Sequence, residues 1–472
     1  MSNRTTRRAF AGVVASAPFL IGRPLASDAR IREVRTSYED YLYRTPYKFG
    51  GNSVDRVTLL NVECVIESRS GRSAKGFGSM PLGNVWAWPS KLLTYSETLG
   101  AMKSLAGRMA ETVNKFDEFG HPLDWNHSLE PQWLASAAEV SKILAQPIPK
   151  LCTLVTGSPF EAALHDAFAK LHNRNAYQVY GRDLLPHDAS RYLGAEGRGI
   201  FLDQFVTATP KATIAVYHSV GALDTLTSAD VTQRLNDGLP ETLPEWIRYN
   251  GLTHIKIKLN GDDLPWDVDR VVAIDRITSE VQKERGIAGW MYSLDFNERA
   301  KNVAYLIEFM RRLKEQSEAG FRRVQYVEQP TARDLSSDRG NVMHEAAKLK
   351  PVVIDESLTG LDMLLLSREM GYSGAALKAC KGQSQAVLMA AVAQRHKMFL
   401  CVQDLTCPGA SLIHSAGLAA HIPGVTAIEA NARQYVPAAN AKWEDRFPGI
   451  FKITDGVMRT STLTGTGLSA VI

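Results

Sequence analysis

The sequence predicts a parallel β/α barrel that follows an α+β domain, and three observations carry the prediction. Beyond about residue 205 short apolar runs recur, eight in all, each followed by a segment of helical periodicity. Strands that alternate with helices in this way pair in parallel. Charged residues stand at or near the carboxyl ends of successive runs, where barrel enzymes assemble their sites. Before about residue 150, strand-like and helix-like stretches follow one another without regular alternation. A doubly wound sheet also alternates strands with helices; the placement of the charges favours the barrel.

Taken in order, residues 1–29 read as a segment apart. Arg7 and Arg8 precede the apolar run AGVVASAPFLIG and the small-residue stretch PLASDA. This resembles a twin-arginine signal peptide, which implies export of the folded protein to a periplasmic or extracytoplasmic location, with cleavage between Ala26 and Ala29. Residues 30–165 form the α+β domain, with short β-like runs in VTLLNVECVIESRSGR and a helix in SETLGAMKSLAGRMAETVNKF. A further helix, SPFEAALHDAFAKLHN, is expected to start at Ser158 with Pro159 in its first turn. Residues 205–445 form the barrel, with strands in TIAVYHS, THIKIKL, GWMYSLD, RRVQYVE, PVVIDE, GAALKA, MFLCVQD and GVTAIEA. Residues 222–250 are expected to form a lid or a subunit contact, and the tail 445–472 to pack with the first domain.

Composition narrows the partners. A chain of 472 residues, 45% hydrophobic, can bury a large core and more than one domain. Its 54 basic residues nearly cancel 50 acidic ones and form no basic run, which argues against nucleic acid as a partner. The five cysteines lack the paired spacing of a zinc site or disulfide framework and read as buried thiols. No run beyond the N-terminal segment approaches the ~20 apolar residues of a membrane span. A small-molecule carboxylate and a second copy of the chain, as a homo-oligomer, are the expected partners.

Three consecutive strands end in acid: Asp295 in SLDFNE, Glu328 in YVEQP, and Asp355 followed by Glu356 in VVIDES. Convergent carboxylates without compensation are costly, and a divalent cation relieves them. All-oxygen ligation suits Mg²⁺, or Mn²⁺, better than Zn²⁺. Asn297 should point to the same side as Asp295. Lysines flank the trio: Lys256 and Lys258 in KIK before it, Lys378 in ALKACKG after it. Alternation sends both lysines of KIK into the barrel mouth and Ile255 and Ile257 outward. Neighbouring positive charge is expected to depress a lysine so that its neutral form serves as a base, with Lys256 acting on Lys258. Lys381 is expected to turn away from the interior.

KIK, LDFNE, VEQP, IDES and LKACKG, in this order, resemble the enolase superfamily and its muconate lactonizing enzyme subgroup, within the mandelate racemase/muconate lactonizing enzyme family. With the N-terminal domain and SPFEAALHDA the resemblance covers about 31–470. It implies that Asp295, Glu328 and Asp355 hold Mg²⁺, with Glu356 as third ligand if the set is displaced by one, and that Lys258 and Lys378 are the acid/base pair. It further implies removal of a proton α to a carboxylate through an enediolate. Racemisation or epimerisation of an amino-acid-like or hydroxy acid is the leading expectation. A lyase, either dehydratase or cycloisomerase, is the alternative, and a non-catalytic binding protein the minor one. In dipeptide epimerases of the subgroup the last strand supplies an Asp-x-Asp pair; here Glu429 and Asn431 stand in AIEANARQY, and Gln403 and Asp404 end the seventh strand. An Asp-His dyad is not evident, since His414 lies well into the following helix. Asp404, Glu429 and Asn431 are therefore candidate substrate contacts, together with Lys48 in TPYKFGGN and Trp86 and Trp88 in GFGSMPLGNVWAWPS.

Overall fold

The computed structural model describes residues 25–469; Arg7, Arg8 and the apolar run behind them lie outside the described residues. Three antiparallel strands open the chain, β1 (Ala29–Phe49), β2 (Asn52–Ser68) and β3 (Ser73–Pro81), paired in that order. Gly50 and Gly51 join β1 to β2 with φ of 52° and 79°, the left-handed pair that a two-residue hairpin turn demands. The sheet lies on the helix Lys150–Leu171. Contact is so close that a Cβ at Gly76 would stand 2.1 Å from the Ala163 carbonyl oxygen, and one at Gly78 would stand 2.1 Å from that of Pro159. Two more helices, Tyr95–Asn114 and Pro122–Ser141, complete this domain, the first opened by a reciprocal cap between Thr94 and Glu97.

The helix expected to begin at Ser158 begins at Lys150 instead, with Pro159 inside it. Ser158 turns its hydroxyl back onto the Val155 carbonyl oxygen at 2.9 Å rather than capping a new turn, and the buried run LCTLVTG carries the helix through both residues.

Strands β4 (Thr213–Val220), β5 (His254–Lys258), β6 (Met291–Asp295), β7 (Val324–Glu328), β8 (Val352–Ile354), β9 (Gly374–Leu377), β10 (Phe399–Val402) and β11 (Ala427–Glu429) run parallel. Pairing of Ala427 with Ala215 closes β11 onto β4. The eight predicted strands and their closure give the β/α barrel. Tyr217, Tyr326, Val353, Ala376, Cys401 and Ala427 fill its interior, below the charged layer, while Ile255 and Ile257 pack outward in the main core. A short strand, β12 (Val457–Arg459), pairs antiparallel with β4. Beyond it the tail returns to the first domain, where the Leu468 N–H donates to Asp166 at 2.8 Å. The segment after β4 is pinned to β1 by Arg44, which donates to Asp237 and to the Leu239 and Pro240 carbonyl oxygens. All five cysteines are buried free thiols. Among the described residues no helix is long and apolar enough to cross a membrane.

Candidate active site

Register sets the charged layer. Lys258 pairs with Asp295 and Asp295 with Glu328 across β5, β6 and β7, and Glu328 pairs with Val353, so that Asp355 lies two residues further along the same face. Lys258 Nζ stands 2.5 Å from Asp295 Oδ2. Lys256, one inward position deeper, is 0% exposed and its ammonium reaches Asp295 at 3.1 Å, Glu328 at 2.9 Å and Glu429 at 2.7 Å. Lys378, on the residue after β9, lies 2.9 Å from Asp355 Oδ2. Gln403 donates to the other oxygen of Glu328.

Two expectations are corrected here. Asp295, Glu328 and Asp355 are not left without protein cations, because each faces at least one lysine. The lysines, conversely, are not depressed: burial opposes their charge, but the adjoining carboxylates outweigh it and hold Lys256, Lys258 and Lys378 above the usual ammonium range. Against burial, Lys256 and Lys258 keep Asp295 below the usual carboxylate range, whereas burial and the nearby Asp295 push Glu328 well up. Lys381 also departs from expectation. The chain leaves β9 in a tight turn, Ala379–Lys381, which carries its ammonium to the Asp355 backbone oxygen at 2.5 Å and to Oδ1 at 3.1 Å.

Asp295, Glu328 and Asp355 thus offer oxygen ligands from three adjacent strands. Their chemistry fits a hard divalent cation. In this arrangement their oxygens face lysines, and among the described residues no three His, Cys, Asp or Glu side chains close on one point. Glu356 faces the other way: its Oε1 accepts from Trp86 Nε1 at 3.0 Å and from Asn297 Nδ2 at 3.1 Å. Burial and the adjacent Asp355 push it up to about 7.

The first domain roofs the barrel mouth. Lys258 Nζ lies 6.0 Å from the ring centre of Tyr47 and 5.9 Å from that of Phe49, and Lys378 Nζ lies 4.5 Å from that of Trp86. Arg333 braces the roof, donating to Glu298 and to the Trp86 carbonyl oxygen at 3.1 Å. Beneath it a cavity of about 50 Å³ is lined by Lys258, Lys378, Asn297, Asp404, Glu429 and Asn431, with Tyr43, Tyr47, Phe49 and Trp86 among its apolar walls. Asp404 accepts the backbone N–H groups of Thr406, Cys407 and Asn431 at 3.2, 3.2 and 3.3 Å; burial, with Glu429 nearby, pushes it up to about 7.

Residues 239–471 match the family model described as enolase C-terminal domain-like. The barrel belongs to the enolase superfamily. No curated protein sequence matches the chain. Among solved structures, the chain resembles a dipeptide epimerase from Enterococcus faecalis complexed with Mg and L-Leu-L-Tyr, at 15% identity and TM-score 0.60 over 93% of this chain and 99% of the other. It resembles a muconate lactonizing enzyme from Pseudomonas fluorescens complexed with muconolactone, at 15% identity and TM-score 0.58 over 93% and 96%. A third is an N-succinyl Arg/Lys racemase from Bacillus cereus, at 16% identity and TM-score 0.58 over 93% and 95%. At such identity the likeness is one of fold.

On this enolase-superfamily barrel the structure gathers most of the predicted site residues into one chamber and separates two of them. Trp88 is 1% exposed within the main core and does not line the cavity. Lys48 alternates with Tyr47 and Phe49 along β1, so it is the two aromatic neighbours, not the lysine, that face Lys258. Tyr43 and Tyr47 escaped the sequence reading, and Lys381 was read as turned away from the interior. Period-two alternation along β1 was the signal that could have found Tyr47. His414, on the helix Ala410–His421, is buried away from this layer, as expected from its position.

Proposed function

We propose that the protein is a divalent-metal-dependent enzyme that removes the proton α to a carboxylate and returns it from the other side, a racemase or epimerase. One observation carries this reading: Lys258 and Lys378 line the same cavity from β5 and from the end of β9, four strands apart in a closed ring of eight. Strands so related lie across the barrel from one another, so the two amines address opposite faces of a carbon held between them. Asp295, Glu328 and Asp355 would hold Mg²⁺ or Mn²⁺, which would supply positive charge for the substrate carboxylate and compete with the lysines for those three acids. Lys258 takes or returns the proton on one face and Lys378 on the other. Lys256 holds Glu328 and Glu429 in place, Lys381 steadies Asp355, and the aromatic roof excludes water.

A lyase or cycloisomerase using the same pair is the second reading, favoured by the likeness to a muconate lactonizing enzyme. The experiment follows α-hydrogen exchange by proton NMR in D₂O with Mg²⁺ over a panel of chiral carboxylates. Lys258→Ala and Lys378→Ala should each abolish racemisation, retaining exchange on opposite enantiomers, because a base must lie within about 3 Å of its proton. Product formed with net loss of water, or wild-type exchange confined to one enantiomer, would replace the racemase with the lyase. We also propose that the chain is exported by the twin-arginine route, supported by Arg7 and Arg8 ahead of an apolar run.

A further inference from the structure

We infer that a second binding site lies between the first domain and the barrel, and that it takes a small uncharged molecule bearing a primary carboxamide on a hydrocarbon body. The cleft encloses about 340 Å³ and shares no lining residue with the chamber that holds Lys258 and Lys378. One wall is the helix Pro122–Ser141, through Asn126, His127 and Pro131; another is the first turn of the helix Gln383–Arg395, through Ser384 and Gln385. Beside it the two domains are already joined. Glu161 accepts the Ser384 N–H at 2.9 Å and lies so near Gly382 that a Cβ there would stand 2.1 Å from its Oε1. The barrel wall also continues from the site at the mouth: Thr359 and Gly360 follow Asp355 in the chain, and Ser384 and Gln385 follow Lys378. A ligand in the cleft therefore ties the first domain to the segments that carry both groups.

Two side chains on these walls lack partners, and one carbonyl lacks its helical donor. Asn126 and Gln385 are each 8% exposed; Asn126 Oδ1 accepts no hydrogen bond and Gln385 Nε2 donates none. Pro131 stands inside its helix and has no N–H to give the His127 carbonyl oxygen one turn back. Buried polar groups are as a rule hydrogen-bonded, so a ligand that pairs these groups recovers free energy that the empty cleft forgoes. Two acceptors on neighbouring residues, with a donor on the other wall, are the complement of a carboxamide. Its two N–H groups go to Asn126 and His127, and its oxygen goes to Gln385. No charge is called for. Lys150 and Glu130 pair with each other at 3.7 Å, and Asp362 sits in the first turn of its own helix, Leu361–Glu369, where the helix dipole favours an acid. Leu123, Leu134, Leu388 and Met389 supply the apolar lining, which suits a branched hydrocarbon body.

The test is a saturation-transfer NMR titration of the full-length protein in excess Mg²⁺ with three molecules that share one branched body: 4-methylpentanamide, its N,N-dimethyl amide and methyl 4-methylpentanoate. None carries the carboxylate that the chamber at the barrel mouth would take. The dimethyl amide and the ester keep the carbonyl and lose both N–H donors. The primary amide should bind about fivefold or more tightly than either. Asn126→Leu and Gln385→Met exchange an unpartnered amide for hydrocarbon of similar size. Each should cut the affinity for the primary amide several-fold without lowering the urea midpoint of the ligand-free protein, and if one folds poorly the other carries the test. Folded Asn431→Leu, altered in the other chamber, should keep that affinity, and saturating amide should raise the urea midpoint of the wild type. No binding of the primary amide below about 10 mM, equal or tighter binding of either comparison molecule, lost binding in Asn431→Leu, or affinity untouched in both cleft variants overturns the inference. A lowered midpoint in both cleft variants overturns it too, since the two amides would then serve folding alone.

Discussion

Replacing Lys256 by Met keeps the length of a fully buried side chain and removes its charge. The ammonium that disappears contacts Asp295 at 3.1 Å, Glu328 at 2.9 Å and Glu429 at 2.7 Å. Breaking one buried pair costs about 3–5 kcal/mol, because the surviving ion is left without compensation. Three contacts do not mean three such losses here. Asp295 retains Lys258 at 2.5 Å and Glu328 retains the Gln403 amide. Glu429 is left with only the long contact to Asn431 at 3.5 Å, so the expected destabilisation is that of a single pair, about 3–5 kcal/mol. The double variant Lys256→Met with Glu429→Gln should then recover most of the loss, since the two sites form one interaction. Urea unfolding of the four proteins of the cycle, followed by circular dichroism in chelator, measures it. A loss below about 1 kcal/mol in Lys256→Met, or strictly additive effects in the double variant, would refute the assignment of Lys256 as the counter-ion of Glu429.

Glu161, buried in the helix Lys150–Leu171, accepts the Ser384 N–H at 2.9 Å and is pushed by burial up to about 8. The folded state binds this proton more tightly than the unfolded chain, so the stability that Glu161 contributes is fully present below about pH 4.5 and is lost as pH rises towards about 8. Glu161→Gln should remove that fall, worth on the order of a few kcal/mol, in urea unfolding compared at pH 5 and pH 8; an unchanged slope speaks against it. Activity should vanish in chelator and return with Mg²⁺ or Mn²⁺, and Asp295→Asn and Glu328→Gln should each lose it; full turnover by metal-free protein sinks the metal assignment. Arg7→Lys with Arg8→Lys should hold the chain in the cytoplasm when cell fractions are blotted, and wild-type chain found uncleaved and wholly cytosolic argues against export.

The barrel was legible because its signal is redundant: eight apolar runs, each closed by a charged or polar residue, repeat one pattern. The acid row and KIK were legible for the same reason, since alternation alone decides which face a strand residue takes. What failed were places where the chain leaves regular geometry. Ser158-Pro159 imitates a helix start, yet the preceding residues are buried and helical. Lys381 seemed turned away because the strand was extended past Leu377, where a tight turn intervenes. The charge state of the lysines was misjudged because ion pairs depend on distances between strands, and a sequence shows only the distances along one.

The distribution of the ion pairs over the chain bears on how the protein is made. Lys256 and Lys258 find Asp295 and Glu328 within β5 to β7, and Asp355 meets Lys378 and Lys381 in the next stretch. A chain emerging from the ribosome can therefore settle most of its buried charges between neighbouring segments as they appear. Among the described residues of the site only Glu429, on the last barrel strand, reaches back to Lys256 on the second, and it arrives with the pairing that joins the ends of the ring. The last of the site's acids to be synthesised is the one that fastens the circle, so a nascent barrel remains open, and its deepest lysine incompletely neutralised, until translation has passed that residue.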